Sequence, residues 1–317
     1  MLVNTTNERI FDKYGLFLLE IDEDDLMSFL IKMDIDDNGK PLFPLEPLTN
    51  EIMNVIPEYV FAEYQNTDIS KNNSVEMLRK AAKAIYKIPE FELMRKVYLE
   101  KDENARKKLD NMPYKNRGEF GELLLHFILR DFKGTIPLVS KVYFKDAAGV
   151  PAHGFDAVHV SPKEKILWLG ESKLYNDGKA GIIELVGDLK KHLKTDYLNE
   201  QFEIIKKNLD NNTIPGRNEW IKKLDEAVLL KEKLEFINIP MLCTYTHDIY
   251  TKFKDTKSID AVNYHKINAR ELKSYFDSHN KNKLTNQCNI ILILLPIKNK
   301  NELVTRLHKR LWCMQNM

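Results

Sequence analysis

The sequence predicts a mixed α/β protein, with a central sheet flanked by helices, and three observations predict it. Apolar strand-like runs at Ile136–Phe144, Gly154–Val160, Ile166–Tyr175, Ile239–Tyr245 and Asn289–Ile297 are interleaved with helical segments. Within the third run, Ile166, Leu167, Trp168 and Leu169 are consecutive apolar residues, the pattern of a strand covered on both faces. A chain of 317 residues can also bury roughly three quarters of its unfolded surface, so a full core needs no covalent staples.

In chain order, Tyr14–Ile21 reads as a strand, Glu23–Lys32 as a short helix, and Ile35–Asn50, which holds three prolines, as a loop. Ser74–Tyr86 and Glu90–Leu109 are helical by apolar spacing and by their Ala, Lys, Glu and Leu content, with Pro89 between them. After Pro113 a helix at Asn116–Phe132 precedes the first three strands. Helices at about Ala180–Leu193, Leu198–Leu209 and Arg217–Leu234 precede the last two, and a helix at Glu302–Trp312 closes the order. The expected organisation is an acidic, mainly helical region over 1–112 and a sheet-bearing domain over 113–317 with a helical insertion at about 198–237.

Charge and cysteines narrow the class. The first 60 residues carry 4 Lys/Arg against 13 Asp/Glu, leaving +10 on the rest of a chain whose total is +1, so the basic part is the nucleic-acid candidate. Cys243, Cys288 and Cys313 are scattered and odd in number, which points to neither disulfides nor zinc and suits a reduced cytoplasm. The longest apolar run, Ile290–Leu295, is far short of the roughly 20 residues that span a bilayer, so no membrane role is expected. No phosphate-binding glycine motif is present, which argues against nucleotide hydrolysis.

The chemistry concentrates in one hairpin. Between the second and third strands lies Ser161-Pro162-Lys163-Glu164-Lys165, a run of turn formers. Pairing centred there sets Val160 against Leu167, Val158 against Leu169, and Asp156 against Glu171. Opposed side chains stand about 5 Å apart, where two carboxylates repel. Lys173 shares the face of Glu171, because strand side chains alternate, and one ammonium could balance the pair. A divalent cation balances it better, with Lys173 then orienting water or stabilising charge on a phosphate, or acting as a base should its pKa be lowered. A buried Asp-Glu-Lys network that only supports the fold is the other reading.

A third acid comes from the helix RGEFGELLLHFILRDF, where Glu119 and Glu122 share a face. Glu122 is the choice, because it is deeper in the helix and follows Gly121, whose missing side chain permits close approach to the sheet. Glu119 suits a solvated first turn equally well.

The order Glu122 in a helix, Asp156 in one strand and Glu171-Ser172-Lys173 in the next resembles the PD-(D/E)xK nuclease superfamily, whose αβββαβ core matches residues 116–245. The phrases RGEFGELLLHFIL, HGFDAVHV and LWLGESKLY, with late strands ending in LLPI, look like the HamA nuclease family of the Hachiman anti-phage defence system, from about Pro113 onward. The resemblance implies a restriction-endonuclease-like core and DNA cleavage with Mg²⁺, which Mn²⁺ can replace. Asp156 and Glu171 would hold the metal with the Ser172 backbone carbonyl, Lys173 would act on the attacking water, and Glu122 would assist. It also implies a HamB-like helicase partner. Phe155 replaces the proline of the superfamily motif, and the Gln-x-x-x-Tyr of RecB-like members is missing. An inactive nuclease-fold scaffold and an RNase with the same site are the competing functions.

Several features are read as decoys. Asp34–Gly39 imitates half of a calcium loop but lacks its glutamate at position twelve, so it is a turn. His153 and His159 flank Asp156, yet their parity places them on the face opposite the acid. Lys190, Lys191, His192 and Lys194 end a helix near the site, where they could grip phosphates or simply answer the helix dipole.

Overall fold

The computed structural model describes residues 9–61, 73–112, 114, 117–138, 154–209 and 216–317. The chain opens with β1 (Phe17–Asp22) and β2 (Leu26–Ile31), a small hairpin of β3 (Asp34–Ile35) and β4 (Pro41–Leu42), and five helices, α1 (Leu45–Asn54), α2 (Ile56–Phe61), α3 (Ser74–Ile85), α4 (Phe91–Tyr98) and α5 (Glu103–Asp110). Then come α6 (Glu119–Lys133), β5 (Ile136–Pro137), β6 (Ala157–Ser161), β7 (Ile166–Tyr175), α7 (Gly178–His192), α8 (Thr195–Leu209), α9 (Arg217–Lys223) and α10 (Leu230–Leu234). The chain finishes with β8 (Ile237–Thr246), α11 (Ile249–Lys252), α12 (Ile259–His279), β9 (Asn289–Ile297) and α13 (Lys300–Gln315).

Among the described residues, seven strands form one sheet in the order β1-β2-β9-β8-β7-β6-β5. Its centre, β2, β9, β8 and β7, is parallel, while β1, β6 and β5 run antiparallel to their neighbours. The mixed α/β expectation therefore holds. Both faces are covered because side chains alternate along each strand. Leu242 and Ile293 pack in the cluster that contains α6 and α13, whereas Met241, Cys243 and Leu294 pack in the cluster that contains α7, α8 and α12.

Three local expectations are corrected. Glu23–Lys32 is not a helix: Leu26–Ile31 is a strand buried at every position and parallel to β9. Its run LMSFLI is apolar nearly throughout, and so short a run shows no period that separates helix from strand. Residues 35–50 are not one loop, since Pro41–Leu42 closes the small hairpin and α1 begins at Leu45. Proline there precedes the helix at Pro44, where its fixed φ does no harm. Glu90–Leu109 is two helices, broken where Lys101 adopts φ 57°. In the same way, Arg217–Leu234 divides into α9 and α10.

The first expected strand is present as Ile136–Pro137, and its continuation from 139 lies outside the described residues, as does His153. The α12 helix received no expectation. Its buried stripe is Ala261, His265, Ala269, Leu272 and Phe276, too small and polar to stand out as apolar periodicity.

The N-terminal segment is tied to α6. The Asp131 carboxylate accepts the backbone N–H groups of Ile10, Phe11 and Asp12 at 3.0, 3.0 and 2.7 Å. On the next residues, Asp12 accepts from Leu16 N at 2.6 Å and so orients the start of β1.

Candidate active site

The hairpin β6–β7 has the register its turn dictates. Val160 faces Leu167, Val158 faces Leu169, and the last pair is Ala157 with Gly170. The turn closes with Lys165 N donating to Ser161 O at 2.8 Å and Lys165 at φ 58°. Asp156 stands one residue before β6. Beyond Gly170, β7 pairs with β8 through Glu171, Ser172, Lys173, Leu174 and Tyr175. Where β6 leaves off, the Asp156 carboxylate takes over part of the edge: Oδ2 accepts from Ser172 N at 2.9 Å and from Ser172 Oγ at 2.8 Å. The two acids therefore adjoin along β7, but Asp156 wraps onto Ser172 rather than meeting Glu171 face to face.

The helix α6 seats against this point as expected. A methyl group at Gly121 would lie 3.2 Å from Ser172 Oγ and 3.7 Å from Leu174 Cβ, so glycine is what lets the helix reach the strand. Glu122, on the next position, is buried and accepts a hydrogen bond from the Tyr59 hydroxyl of α2. Burial, then the charge of Glu122, drives the Tyr59 phenol well above its usual range, with Asp156 and Glu119 adding to the effect. Glu119 itself pairs with Arg117 at 3.2 Å.

On the opposite face lies α7. Lys173 Nζ sits 2.5 Å from Asp188 Oδ2, and Lys191 Nζ is 3.0 Å from Asp188 Oδ1. Burial lowers the Lys173 pKa, but the hydrogen bond and charge of Asp188 outweigh it and the net shift is upward. That direction favours the ammonium form, which suits a charge-stabilising or water-orienting role better than that of a base.

Glu171 is the strained member. It is 3% exposed, and burial pushes its carboxyl well above the usual range; Lys173 opposes this, while Asp188 and Glu122 add to it. Glu171 Oε1 lies 2.7 Å from His192 Nδ1, yet neither atom has a hydrogen bond of proper geometry. The His192 ring is held flat against Tyr197, centroids 4.6 Å apart and planes at 7°, with the edge of Phe155 at 5.1 Å.

A hard divalent cation fits this chemistry. Asp156, Glu171 and Glu122 are the oxygen donors such an ion takes, and Glu171 Oε1 is a buried acceptor that no donor among the described residues satisfies. Among the described residues no three His, Cys, Asp or Glu side chains form a ready cage, and the carboxylate of Asp156 is already committed to Ser172. Water and phosphate oxygens would have to complete the shell.

The sequence missed Tyr59, Asp188 and the contact of His192 with Glu171. Tyr59 lies 63 positions from its partner and carries no signal of its own. Asp188 had one signal, its place on the helix that follows β7. His159 behaves as the packed residue expected: Nε2 is 3.0 Å from His126 Nδ1, and Nδ1 is 2.8 Å from Thr135 Oγ1. The Asp34–Gly39 decoy is a turn in which Asp36 Oδ1 accepts from Asn38 N and Lys40 N at 2.9 and 2.8 Å. No helix among the described residues is long and apolar enough to cross a membrane.

No curated protein matches the chain. The HamA family model matches residues 17–311, from the first residue of β1 to the last turns of α13, a span that holds both strands of the hairpin, Tyr59, Glu122 and the whole of α7. The chain belongs to the HamA family, that of the Hachiman antiviral defence system.

Proposed function

We propose that this protein is the metal-dependent DNA-cleaving subunit of a Hachiman complex, acting in the cytoplasm beside a helicase partner. One observation supports the reading: β6–β7 pairing ends at Ala157↔Gly170, and the Asp156 carboxylate beyond it accepts from Ser172, the residue between Glu171 and Lys173. Asp156, Glu171 and the Ser172 carbonyl would hold Mg²⁺ or Mn²⁺, with Glu122 supporting from α6. When bound, that ion supplies Lewis-acid withdrawal of charge from the scissile phosphate and a lower pKa for water. Lys173 stabilises the negative charge that develops on the phosphoryl oxygens as water attacks in line, and Asp188 keeps the ammonium charged and aimed. The acidic region 1–112 would face the partner, because its first 60 residues repel a polyanion.

Incubation with Mg²⁺ and plasmid, beside Glu171→Ala and Lys173→Ala, tests this reading. Cleavage lost in both variants supports it, and cleavage by both variants overturns it. The contacts of Asp156 with Ser172 and of Lys173 with Asp188 favour a second reading, a closed polar network in a nuclease-fold scaffold. That reading predicts no cutting of DNA by the wild type; activity on RNA alone would identify an RNase.

A further inference from the structure

Glu171 Oε1 and His192 Nδ1 approach to 2.7 Å without a hydrogen bond, in a site where both atoms are buried. Two buried polar atoms in contact, each without a hydrogen bond, are costly to leave so if nothing joins them. Two ligands on adjacent corners of an octahedral ion, with bonds near 2.1 Å, lie about 3 Å apart. The observed separation is within a few tenths of an ångström of that value. The ring does not reach this position loosely. His192 is the last residue of α7, a 15-residue helix whose Leu185 and Leu189 are buried, and Tyr197 and Phe155 pin the imidazole from two directions.

We propose that His192 is a ligand of the divalent cation, through Nδ1, beside Glu171. This deepens the nuclease reading and rests on it, since the site is the same. An imidazole nitrogen is a borderline ligand, whereas Mg²⁺ takes oxygen almost alone. The site therefore selects Mn²⁺ or another transition ion over Mg²⁺.

The test uses the full chain stripped with chelator and titrated with MnCl₂ or MgCl₂ alone, followed by calorimetry and by pulsed electron paramagnetic resonance of the Mn²⁺ form. The wild type should bind Mn²⁺ at least about tenfold more tightly than Mg²⁺ and show ¹⁴N coupling to the ion. His192→Gln should lose that coupling and weaken Mn²⁺ binding by about 10–100-fold, with a much smaller change for Mg²⁺. Mn²⁺ bound and plasmid cut without nitrogen coupling would overturn the inference and leave the nuclease reading intact. Unchanged Mn²⁺ affinity in His192→Gln overturns it as well, and a wild type that binds neither ion and cuts nothing defeats both.

Discussion

Lys173 Nζ and Asp188 Oδ2 lie 2.5 Å apart, so the ammonium of the hairpin is bonded by the helix that follows it and not by Asp156 or Glu171, the two acids that precede it. Both side chains are partly buried, 22% and 16% exposed, so removing one partner leaves the other charge poorly solvated and costs more than breaking a surface ion pair. Asp188→Asn should leave Lys173 less fixed and reduce plasmid cleavage by about 10–100-fold, or about 1.4–2.7 kcal/mol of transition-state stabilisation. In a Lys173→Met background the same substitution should add almost nothing, because the residues act as a unit. Additive losses in that cycle would count against a positioning role for Asp188.

Tyr59 brings α2 into the site through its bond to Glu122. Tyr59→Phe removes one hydroxyl and keeps the ring packed at 5.6 Å against His126, so stability should fall by only about 1 kcal/mol. Cleavage should fall by about tenfold in kcat while KM for DNA holds steady. The assay is the plasmid time course at saturating substrate; a variant as fast as the wild type would remove Tyr59 from the machinery.

Glu51 offers a pH signature away from the site. It is buried in the wall of a cleft with Lys32, Asp34 and Asn50, and Oε2 has no hydrogen-bond partner. Burial raises its carboxyl from 4.5 to about 7, with Asp12 and Asp131 adding and Lys13 opposing. The folded state keeps a proton that the unfolded chain releases, so the stability from this group is whole below pH 4.5 and is lost as pH rises through about 7. Glu51→Gln stays neutral throughout. Its melting temperature should approach that of the wild type near pH 4.5 and exceed it at pH 8, by the equivalent of about 1–2 kcal/mol after solvent screening. Parallel melting curves across that range would contradict the shift.

Gly170 sets the spacing between β7 and its neighbours. A methyl group there would meet Leu125 Cδ2 at 2.8 Å and Pro240 Cγ at 3.0 Å, both in the packed interior. Gly170→Ala should cost about 1–3 kcal/mol in urea denaturation and displace the adjoining Glu171, so cleavage falls with stability. An unshifted midpoint would mean that Leu125 and Pro240 yield freely.

How much of this was legible depends on the distance over which each feature is decided. The hairpin register was legible: turn formers at 161–165 and period-2 alternation imply it, and Val160↔Leu167 and Val158↔Leu169 are found in it, while the expected Asp156–Glu171 pair is replaced by the bond of Asp156 to Ser172. Gly121 was legible too, since a helix glycine beside a glutamate has a local meaning. The strand β2 was not. LMSFLI is compatible with either state, and pairing of Leu26 with Leu292 decides between them across nearly the whole chain.

The sequence by itself determined the mixed α/β class, the β6–β7 hairpin and the residue types of an acid-rich site, because turns, alternation and helix faces are set by neighbours a few positions apart. Only the tertiary structure decided that Lys173 answers to Asp188, that Tyr59 binds Glu122, and that Glu171 meets His192. Those contacts join separate elements, and their partners are chosen by how α2, α6 and α7 pack on the sheet. No spacing along the chain encodes that choice.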